Sequence, residues 1–381
     1  MTGGPDHRPG RTGPVGVGVI GAGVISDTYL DNLTSFPDTD VLAIGDLFPA
    51  AAAAKAEKFG VAVSGGVDAV LEHPAVEVVV NLTVPAAHAE VAGQVLAAGK
   101  HVWNEKPLAL DRAGGRALLD QAAAAGLRVG CAPDTFLGEG LQAVRRRLDA
   151  GEIGIPLTAL VLMQSPGPES WHPNPAFLFA AGAGPLFDIG PYYLTALVQL
   201  LGPVESVAAI GSKARETRVI GSGPKAGEEF PVLVPSHISA TARFASGQSA
   251  TMIFSFDSPR LRTLLEITGT EATLVLPDPN MFDGEIAIQR RDDEEPAVLE
   301  VTTARSWRGT GVLEMARAIR AGRPHRAQGS TAYHVLDVML AIEEAAAGGA
   351  YVPVTSGAEI ADPLPADWDP YAATLVGVTA E

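Results

Sequence analysis

The feature that most constrains the fold of this chain is an apolar run that ends abruptly in two glycines. Residues 15–20 read VGVGVI, and residues 21–26 read GAGVIS. An apolar run without alternation is typical of a strand buried on both faces of a parallel sheet. A glycine-rich turn between such a strand and a helix is typical of a dinucleotide-binding βαβ unit. We therefore predict an α/β domain that begins at residue 15.

Short apolar runs alternate with helical stretches as far as about residue 134. The runs that read as further strands lie at 41–46, 76–83, 101–106 and 127–132. This alternation predicts repeated βαβ units and a parallel sheet covered by helices on both faces. We therefore assign residues 15–134 to a Rossmann domain.

Beyond about residue 150 the pattern changes to strands joined by Gly-containing turns. Residues 236–258 read SHISATARFASGQSATMIFSFDS, a sequence typical of an antiparallel hairpin. The second half is therefore predicted to be α+β, with a mostly antiparallel sheet. A chain of 381 residues suits two domains, which we place at 15–134 and 135–381. Residues 1–14 are rich in Gly, Pro and Arg and predict a flexible tail.

The glycine-rich turn carries the groups that a dinucleotide requires. Gly21 would form the tight turn, and Gly23 would let the backbone approach the pyrophosphate. The amides of Val24 and Ile25, at the start of the helix, would bind the phosphates. Ser26 stands where the motif has a third glycine, so the sequence departs from the motif at that position.

Asp46 is predicted to bind the adenine ribose. It ends the second predicted strand, twenty residues after Ser26, where an acidic side chain accepts hydrogen bonds from ribose hydroxyls. The alternative is that Asp46 caps the helix that follows. Leu47 and Phe48 come next, so no cation accompanies the acid to bind a 2′-phosphate. NAD is therefore favoured over NADP.

A lysine lies at the tip of the strand predicted at 101–106, and Pro107 follows it. Ligands of open parallel sheets bind beyond the carboxyl ends of the strands. The predicted binding residues at such ends are Asp46, Thr83, Glu105 and Lys106. Pro107 restricts the backbone of Lys106 and would aim its ammonium group at the cofactor. The alternative is a lysine that simply reaches solvent.

Composition argues against several other classes of protein. The formal net charge of −17 opposes binding along a nucleic-acid backbone. No apolar run approaches the ~20 residues of a membrane span, and residues 1–14 lack the apolar stretch of a signal peptide. The single cysteine, Cys131, fits a reducing cytoplasm and is interpreted as a small buried residue. The eight histidines show no metal-binding spacing, so no metal is predicted.

Four stretches of the sequence resemble the Gfo/Idh/MocA family of oxidoreductases, which includes glucose–fructose oxidoreductases and inositol dehydrogenases. The stretches are GVGVIGAGVIS, VVNLTVPAAHAEVAGQVLAAGKHVWNEKPLAL, GEIGIPLTAL and GPLFDIGPYYLTAL. The resemblance implies a nicotinamide cofactor in the first domain and a sugar or polyol bound between the domains. It places Lys106 near the nicotinamide and the reacting carbon, with a Lys-Pro peptide that is often cis. It also implies a homodimer or homotetramer formed through the open face of the second sheet.

Further site residues follow from the same resemblance. Pro85 and His88, in VPAAHAE, match the stretch where the family often has a residue near the nicotinamide ribose. A histidine on a surface helix is the alternative for His88. In the loop PESWHPNPAFLF, Trp171 and His172 are candidates to contact the substrate, as an aromatic wall and a polar group. A structural histidine in a proline-rich loop is the alternative for His172.

The family often has an Asp-Ile-Gly-x-His signature in its second domain. Here that stretch reads Asp188-Ile189-Gly190-Pro191-Tyr192, with tyrosine in place of histidine, as in some branches of the family. Asp188 and Tyr192 are four residues apart, which places them on one face of a helix. The alternative is a helix-capping aspartate and a core tyrosine.

The predicted activity is NAD-dependent transfer of a hydride between the nicotinamide and a secondary alcohol of a sugar, inositol or related polyol. Tyr192 would exchange the hydroxyl proton, and Lys106 would polarise the oxygen. Asp188 would orient Lys106 or a substrate hydroxyl. Two alternatives stay open: a redox-neutral glycosidase that uses NAD, and a non-catalytic regulator that binds a dinucleotide. The sequence does not name the sugar, the oxidised carbon or the direction.

Overall fold

The computed structural model describes residues 12–301, 305 and 307–375, which separate into two compact units. The first unit contains the described residues up to 138, those between 305 and 333, and 364–375. The second contains 139–301 and 334–363. Residues 1–11 of the predicted flexible tail lie outside the described residues.

Helices and strands alternate between residues 15 and 131. The helices are α1 (Ile25–Leu33), α2 (Pro49–Phe59), α3 (Val67–Leu71), α4 (His88–Ala97), α5 (Arg112–Ala125), α6 (Glu139–Asp149), α7 (Gly184–Asp188), α8 (Gly190–Leu201), α9 (Thr310–Arg320) and α10 (Gly329–Gly348). The strands are β1 (Val15–Ile20), β2 (Thr39–Gly45), β3 (Val63–Gly65), β4 (Val78–Asn81), β5 (His101–Asn104), β6 (Val129–Cys131), β7 (Pro156–Gln164), β8 (Val204–Ser212), β9 (Thr217–Val219), β10 (Glu229–Pro231), β11 (His237–Phe244), β12 (Ser249–Ser255), β13 (Arg262–Gly269), β14 (Ala272–Val275), β15 (Ile286–Arg290), β16 (Ala297–Leu299) and β17 (Val352–Pro353).

The first unit is built around a six-stranded parallel sheet with the order β3-β2-β1-β4-β5-β6. The chain moves outward from β1 to β3 and then crosses back to β4 beside β1. Ligands of such sheets bind at this switch point, beyond the carboxyl ends of the strands. The predicted Rossmann topology is confirmed.

Consecutive residues of the central strands are buried, which explains their unbroken apolar sequence. Val17 and Val19 of β1 have no exposed surface, and neither do Val78, Val79 and Val80 of β4. Successive side chains of a strand point to opposite faces of the sheet. Both faces are therefore covered, as the absence of alternation predicts.

The second unit contains a nine-stranded sheet with the order β16-β15-β14-β13-β7-β12-β11-β8-β17. Its neighbouring strands pair antiparallel except β7 and β12, which are parallel. β9 and β10 form a separate two-stranded ribbon. The predicted α+β class with a mostly antiparallel sheet is confirmed.

The two faces of the second sheet differ in exposure. On β11, Ile238, Ala240 and Ala242 are buried, whereas Thr241 and Arg243 are exposed. α7 contacts β11 and β12. One face of this sheet therefore contributes to the core of the unit, and the other is more exposed. Among the described residues, no helix is long and apolar enough to cross a membrane.

Candidate active site

Gly21 forms the turn that follows β1. Its φ is +106°, a backbone conformation that residues with a side chain rarely adopt. A Cβ atom at this position would lie 2.6 Å from the carbonyl carbon of Leu82, in the segment that follows β4. Both the conformation and the close packing suit the tight-turn role predicted for Gly21.

Gly23 differs from Gly21 because the described residues around it do not require a glycine. A Cβ atom at Gly23 would meet no described heavy atom within 4 Å. Val24, which is 93% exposed, precedes α1, and no side chain caps this end of the helix. An approaching ligand explains the glycine better than the protein's own packing does. The uncapped amides at the start of α1 and the open space at Gly23 fit a dinucleotide pyrophosphate.

Ser26 occupies the third motif position and is fully buried. Its hydroxyl donates a hydrogen bond of 2.6 Å to the carbonyl oxygen of Gly23. The small side chain therefore satisfies its own polar group inside the turn. This explains how serine replaces the third glycine without disrupting the turn.

Main-chain amides orient the carboxylate of Asp46 at the end of β2. Ala22 N donates to Oδ2 at 2.7 Å, and Phe48 N donates to Oδ1 at 2.8 Å. The first bond joins the acid to the glycine-rich turn. The residue at the N-cap of α2 is Phe48, and no side chain caps that helix, so Asp46 is not its N-cap. The two residues after Asp46 are Leu47 and Phe48, which are 82% and 69% exposed. The surface beside the acid is therefore apolar, and neither residue is a cation.

The lysines of α2 contact a different acid. Lys55 Nζ lies 2.6 Å from Asp27 Oδ1, and Lys58 Nζ lies 3.2 Å from the same oxygen. The hydrogen bond from Lys55 lowers the pKa of the Asp27 carboxyl below its usual value, and Lys58 adds to this effect. Both ammonium groups thus neutralise a carboxylate in the first turn of α1.

Two buried asparagines join the carboxyl ends of β4 and β5. Asn81 Nδ2 donates to Asn104 Oδ1 at 2.9 Å, and Asn81 Oδ1 accepts from the Thr83 hydroxyl at 2.7 Å. Both asparagines have no exposed surface. Neutral amide groups therefore hold the two strand ends together without adding charge. Thr83 is a predicted binding residue and the two asparagines are not, although each is a polar residue at the end of an apolar strand and so has a signal in the sequence.

Glu105 and Lys106 follow β5 directly. Glu105 Oε1 accepts a hydrogen bond of 2.8 Å from the Tyr29 hydroxyl, and Oε2 accepts one of 2.9 Å from the amide of Lys106. Lys106 is half-buried, and its peptide with Pro107 is cis. The glutamate therefore holds the backbone of the lysine, and its predicted contact with a cofactor stays a prediction.

Two further buried groups lie at this end of the sheet. Burial raises the pKa of Tyr29, and the nearby carboxylate of Glu105 raises it further. Asp134, three residues after β6, accepts hydrogen bonds of 3.0 and 2.9 Å from the amides of Gly309 and Gly311 at the start of α9. Burial raises the pKa of Asp134 to about 6. Neither Tyr29 nor Asp134 has a signal in the sequence, because their partners lie far away along the chain.

His88 and Pro85 have different surroundings. His88, the first residue of α4, is 1% exposed. Its Nδ1 lies 2.7 Å from the carbonyl oxygen of Pro107, and its Nε2 lies 3.0 Å from that of Thr83. Pro85, in the 3-10 turn Pro85–Ala87, is exposed. The surface-helix interpretation of His88 is therefore wrong, because its ring is buried between two main-chain segments.

In the second unit, a helix break separates Asp188 from Tyr192. Asp188 is the last residue of α7, and Tyr192 lies in the first turn of α8. The sequence predicts one continuous helix here. Pro191 has no amide hydrogen to continue the helical bonding, so the helix ends and restarts at Ile189. Asp188 is half-buried and Tyr192 is 8% exposed.

The adjacent tyrosines differ in environment. Tyr193 has no exposed surface, and its ring packs edge-on against Phe254 at 5.8 Å between centroids. Its hydroxyl has no hydrogen-bond partner among the described residues, and burial raises its pKa. Tyr193 is therefore a core residue. It is a natural reference for Tyr192.

Trp171 and His172 belong to a cluster of aromatic rings on one loop. Trp171 is 68% exposed, and its ring lies 5.5 Å from that of His172, which in turn lies 5.4 Å from Phe177. His172 Nδ1 accepts a hydrogen bond from the amide of Asn174 at 3.0 Å, so a neutral ring carries its hydrogen on Nε2. The loop thus presents an exposed indole beside an imidazole N–H.

A buried arginine anchors this loop. Arg218 is 4% exposed and forms ion pairs with Glu169 and Asp257. It also donates to the carbonyl oxygen of Pro166 at 3.1 Å and to that of Phe256 at 2.8 Å. Arg218 is not predicted from the sequence, because both acidic partners lie about 40 or more positions away along the chain. Among the described residues, no group of histidine, cysteine or acidic side chains could hold a metal ion.

Comparison with known protein families agrees with this geometry. Residues 15–132 match the model of an oxidoreductase family with an NAD-binding Rossmann fold, GFO/IDH/MocA, and residues 141–275 match the C-terminal domain of the same family. The fold and the dinucleotide turn thus define an NAD(P)-binding oxidoreductase. The chain belongs to the Gfo/Idh/MocA family.

Characterised relatives include two sugar-nucleotide reductases. The dTDP-3,4-didehydro-2,6-dideoxy-alpha-D-glucose 3-reductase of Saccharopolyspora spinosa is 31% identical over 214 residues, which are 55% of this chain and 63% of that protein. The enzyme of the same name from Actinomadura kijaniata is 28% identical over 303 residues, 77% of this chain and 85% of that protein. The match to the first of these relatives thus spans less than two thirds of its length.

Solved structures share the fold. Levoglucosan dehydrogenase in complex with NADH and L-sorbose superposes with a TM-score of 0.77 over 90% of this chain and 99% of that chain, at 22% identity. An identity this low supports the shared architecture alone.

Proposed function

We propose that this protein is an NAD-dependent dehydrogenase or reductase that acts on a secondary alcohol, or the matching ketone, of a sugar or polyol. The observation that carries the proposal is that two features lie at the carboxyl edge of one parallel sheet. The half-buried Lys106 lies beyond β5, and the glycine-rich turn beyond β1 leads into α1, whose first turn has no side-chain cap. Relatives with sugar substrates in their names, such as the two dTDP-sugar reductases, support the choice of substrate class.

Residues of the first unit would hold the cofactor. The backbone at Gly23, Val24 and Ile25 would receive the pyrophosphate, and Asp46 would accept hydrogen bonds from the ribose hydroxyls. NAD is preferred because a carboxylate would repel a 2′-phosphate, and Lys55 and Lys58 already pair with Asp27. When bound, the cofactor supplies hydride transfer.

Three side chains would take part in the reaction, and two more would bind the sugar. Tyr192 would take the proton of the alcohol during oxidation and return it during reduction. The Lys106 ammonium would stabilise negative charge on the reacting oxygen, and Asp188 would orient Lys106 or a neighbouring hydroxyl. Trp171 and His172 would contact the sugar, because an exposed indole can cover its apolar face while Nε2–H donates to a hydroxyl.

Steady-state kinetics on adjacent tyrosines test the proposal. A panel of sugars and inositols is screened with NAD and NADP by the absorbance of the reduced cofactor. Tyr192→Phe keeps the ring and removes the proton, so kcat should fall by ~10²–10⁴. Tyr193→Phe is the matched control and should leave kcat unchanged, since its hydroxyl has no partner in the described structure. Equal rates for both variants would contradict the role of Tyr192.

The same screen distinguishes the proposed dehydrogenase from the two alternative functions. A redox-neutral glycosidase that uses NAD would cleave glycosides without net formation of NADH. A dinucleotide-binding regulator would bind NAD and turn over none of the panel. Net formation of NADH from a free sugar would therefore exclude both as the sole function.

We also propose that copies of this chain associate through the exposed face of the second sheet. The strand register aligns a row of side chains across this face: Ile210, Ser239, Ile253, Leu162 and Leu264. Ile210 is 74% exposed. Apolar rows of this kind are typical of subunit interfaces. Ile253→Asp should convert a homodimer or homotetramer to a smaller species in analytical ultracentrifugation, and a wild-type monomer would contradict the proposal.

A further inference from the structure

His88 bridges the two segments that follow β4 and β5. Its ring nitrogens lie 3.0 Å from the carbonyl oxygen of Thr83 and 2.7 Å from that of Pro107. At 1% exposure the ring is inside the protein. Both nitrogens thus contact main-chain oxygens, and the ring has no nitrogen left to bind a ribose hydroxyl.

Pro107 has one main-chain hydrogen-bonding group, whereas other residues have two, so its position depends more on the contact with His88. Proline has no amide hydrogen, so its carbonyl is its only main-chain hydrogen-bonding group. That carbonyl belongs to the peptide that directly follows the one between Lys106 and Pro107. The ring of His88 is therefore placed to orient the chain just after the lysine, with Nδ1 2.7 Å from this carbonyl oxygen.

Neighbouring hydrogen bonds hold the same segment from other sides. The amide of Glu105 donates to Asn81 O at 2.9 Å, and Asn104 Nδ2 donates to Leu108 O at 3.4 Å. The carbonyl of His88 itself accepts from Asn81 Nδ2 at 3.1 Å. His88 thus belongs to a buried network of polar groups that surrounds the backbone of Lys106.

We propose that His88 is a positioning residue, which sets the direction of the Lys106 ammonium through the Pro107 carbonyl and does not contact the cofactor. This inference rests on the proposed role of Lys106 in the reaction. A misplacement of about 1 Å at a reacting group can lower turnover ~10²-fold, so loss of the bridge should act on kcat.

The test compares His88→Phe with His88→Gln. Phenylalanine fills the ring's space and removes both nitrogens, whereas glutamine keeps one amide donor. We expect kcat to fall by about 10-fold or more in His88→Phe and by less in His88→Gln, with the Kd for NAD from calorimetry nearly unchanged. His73→Phe is the control, because His73 is a histidine of the same unit ahead of β4, at the opposite end of the sheet, and should change neither quantity.

A second readout does not depend on the reaction. The rate at which an acetylating reagent modifies Lys106 is measured by peptide mass spectrometry in wild type and His88→Phe, with Lys58, 55% exposed, as the internal reference. A changed rate at Lys106 alone supports positioning, even if the panel of sugars contains no substrate. A weaker Kd for NAD with an unchanged rate at Lys106 would assign His88 to the cofactor and overturn the proposal.

The remaining outcomes are also decisive. If His88→Phe only lowers the melting temperature, with Lys106 reactivity and kcat unchanged, His88 is structural and the proposal is wrong. If that variant does not fold, nitrogen-15 NMR of the histidines in the wild-type protein replaces it. A hydrogen on Nδ1 supports the bond to Pro107, and an Nδ1 without hydrogen overturns it.

Discussion

The two ends of the parallel sheet treat charge differently. At the amino end, charged side chains pair with one another: Asp38 with Arg317, Glu77 with Arg320, and Glu314 with Arg323 and Arg326. At the carboxyl end, main-chain amides hold Asp46, Glu105 and Asp134, and neutral amides join β4 to β5. Asp27, in the first turn of α1, is the exception described above, because it pairs with Lys55 and Lys58. An ion pair joins two side chains from separate segments of the chain, whereas a carboxylate that accepts from backbone amides is held in a fixed direction.

Helix α9 connects to both ends. Amides at its start bind Asp134, which follows β6. Its last turn contributes Arg317 and Arg320, whose partners Asp38 and Glu77 precede β2 and β4. One helix therefore holds a buried carboxylate at one end of the sheet and forms ion pairs at the other.

The largest expected effect concerns stability at the amino end. Glu314 has no exposed surface and pairs with Arg323 and Arg326, so Glu314→Ala leaves the mostly buried Arg326 and its main-chain amide without their partner. We expect the free energy of unfolding to fall by about 3 kcal/mol, measured by urea denaturation. Turnover of the folded variant should be unchanged.

Glu216→Ala is the control for that experiment. The side chain of Glu216 is 82% exposed and pairs with Lys213, so its loss should change stability by no more than about 1 kcal/mol. If Glu314→Ala kept its stability but lost turnover, the division of roles between the two ends would be wrong.

Two lysines flank β5, one at each end of the strand. Lys106, at the carboxyl end, should be needed for reaction, so Lys106→Met should bind NAD nearly normally and turn over at least ~10²-fold more slowly. Lys100, at the amino end, is 7% exposed and donates 2.8 Å hydrogen bonds to the carbonyl oxygens of His73 and Val76.

Lys100→Met is therefore the matched control. It should lower the free energy of unfolding by about 1–3 kcal/mol, because two buried carbonyls lose a donor, and leave turnover unchanged. Near-wild-type turnover in Lys106→Met would show that Lys106 is only a structural or surface lysine.

Two buried titratable groups, one at each end of the sheet, should contribute to the pH dependence of stability with opposite signs. Burial lowers the pKa of His325, at the amino end, to about 4, below the ordinary value of 6.5. The unfolded chain then binds more protons, so acidification from pH 7 to 5 should cost about 2 kcal/mol. Burial raises the pKa of Asp134 to about 6, above the ordinary 3.8, so the folded chain binds more protons there and gains about 1 kcal/mol over the same range.

Urea midpoints at pH 7 and 5 check both signs. Asp134→Asn should increase the stability lost between pH 7 and pH 5, and His325→Gln should decrease it. Identical slopes in wild type and both variants would show that neither group differs in proton binding between the folded and unfolded states.

The smallest expected effect concerns the cofactor. Asp46→Ala should reduce the preference for NAD over NADP, because the carboxylate that repels a 2′-phosphate is gone. Calorimetric titration of both cofactors into wild type and variant measures the change. Wild-type binding of NADP that equals or exceeds that of NAD would contradict the assignment.

Local pattern suffices for much of the architecture. A strand buried on both faces requires an unbroken apolar run, so the sequence alone places β1, β2, β4 and β5 and the turn between β1 and α1. Hairpins leave Gly-containing turns, which predict the antiparallel character of the second sheet. Asp46 and Lys106 become candidates in the same way, because each lies at the end of a predicted strand and parallel strands end at one edge.

Only the tertiary structure decides which distant groups meet. Arg317 forms an ion pair with Asp38, 279 positions away in the sequence. Asn81 donates a hydrogen bond to Asn104, and Arg218 forms ion pairs with both Glu169 and Asp257. The sequence predicts His88 as a candidate contact for the ribose, and the fold instead encloses its ring between two carbonyl oxygens. The physical reason is that periodicity records the average environment of each residue, whereas a hydrogen bond or ion pair depends on the relative placement of segments that the chain brings together only on folding.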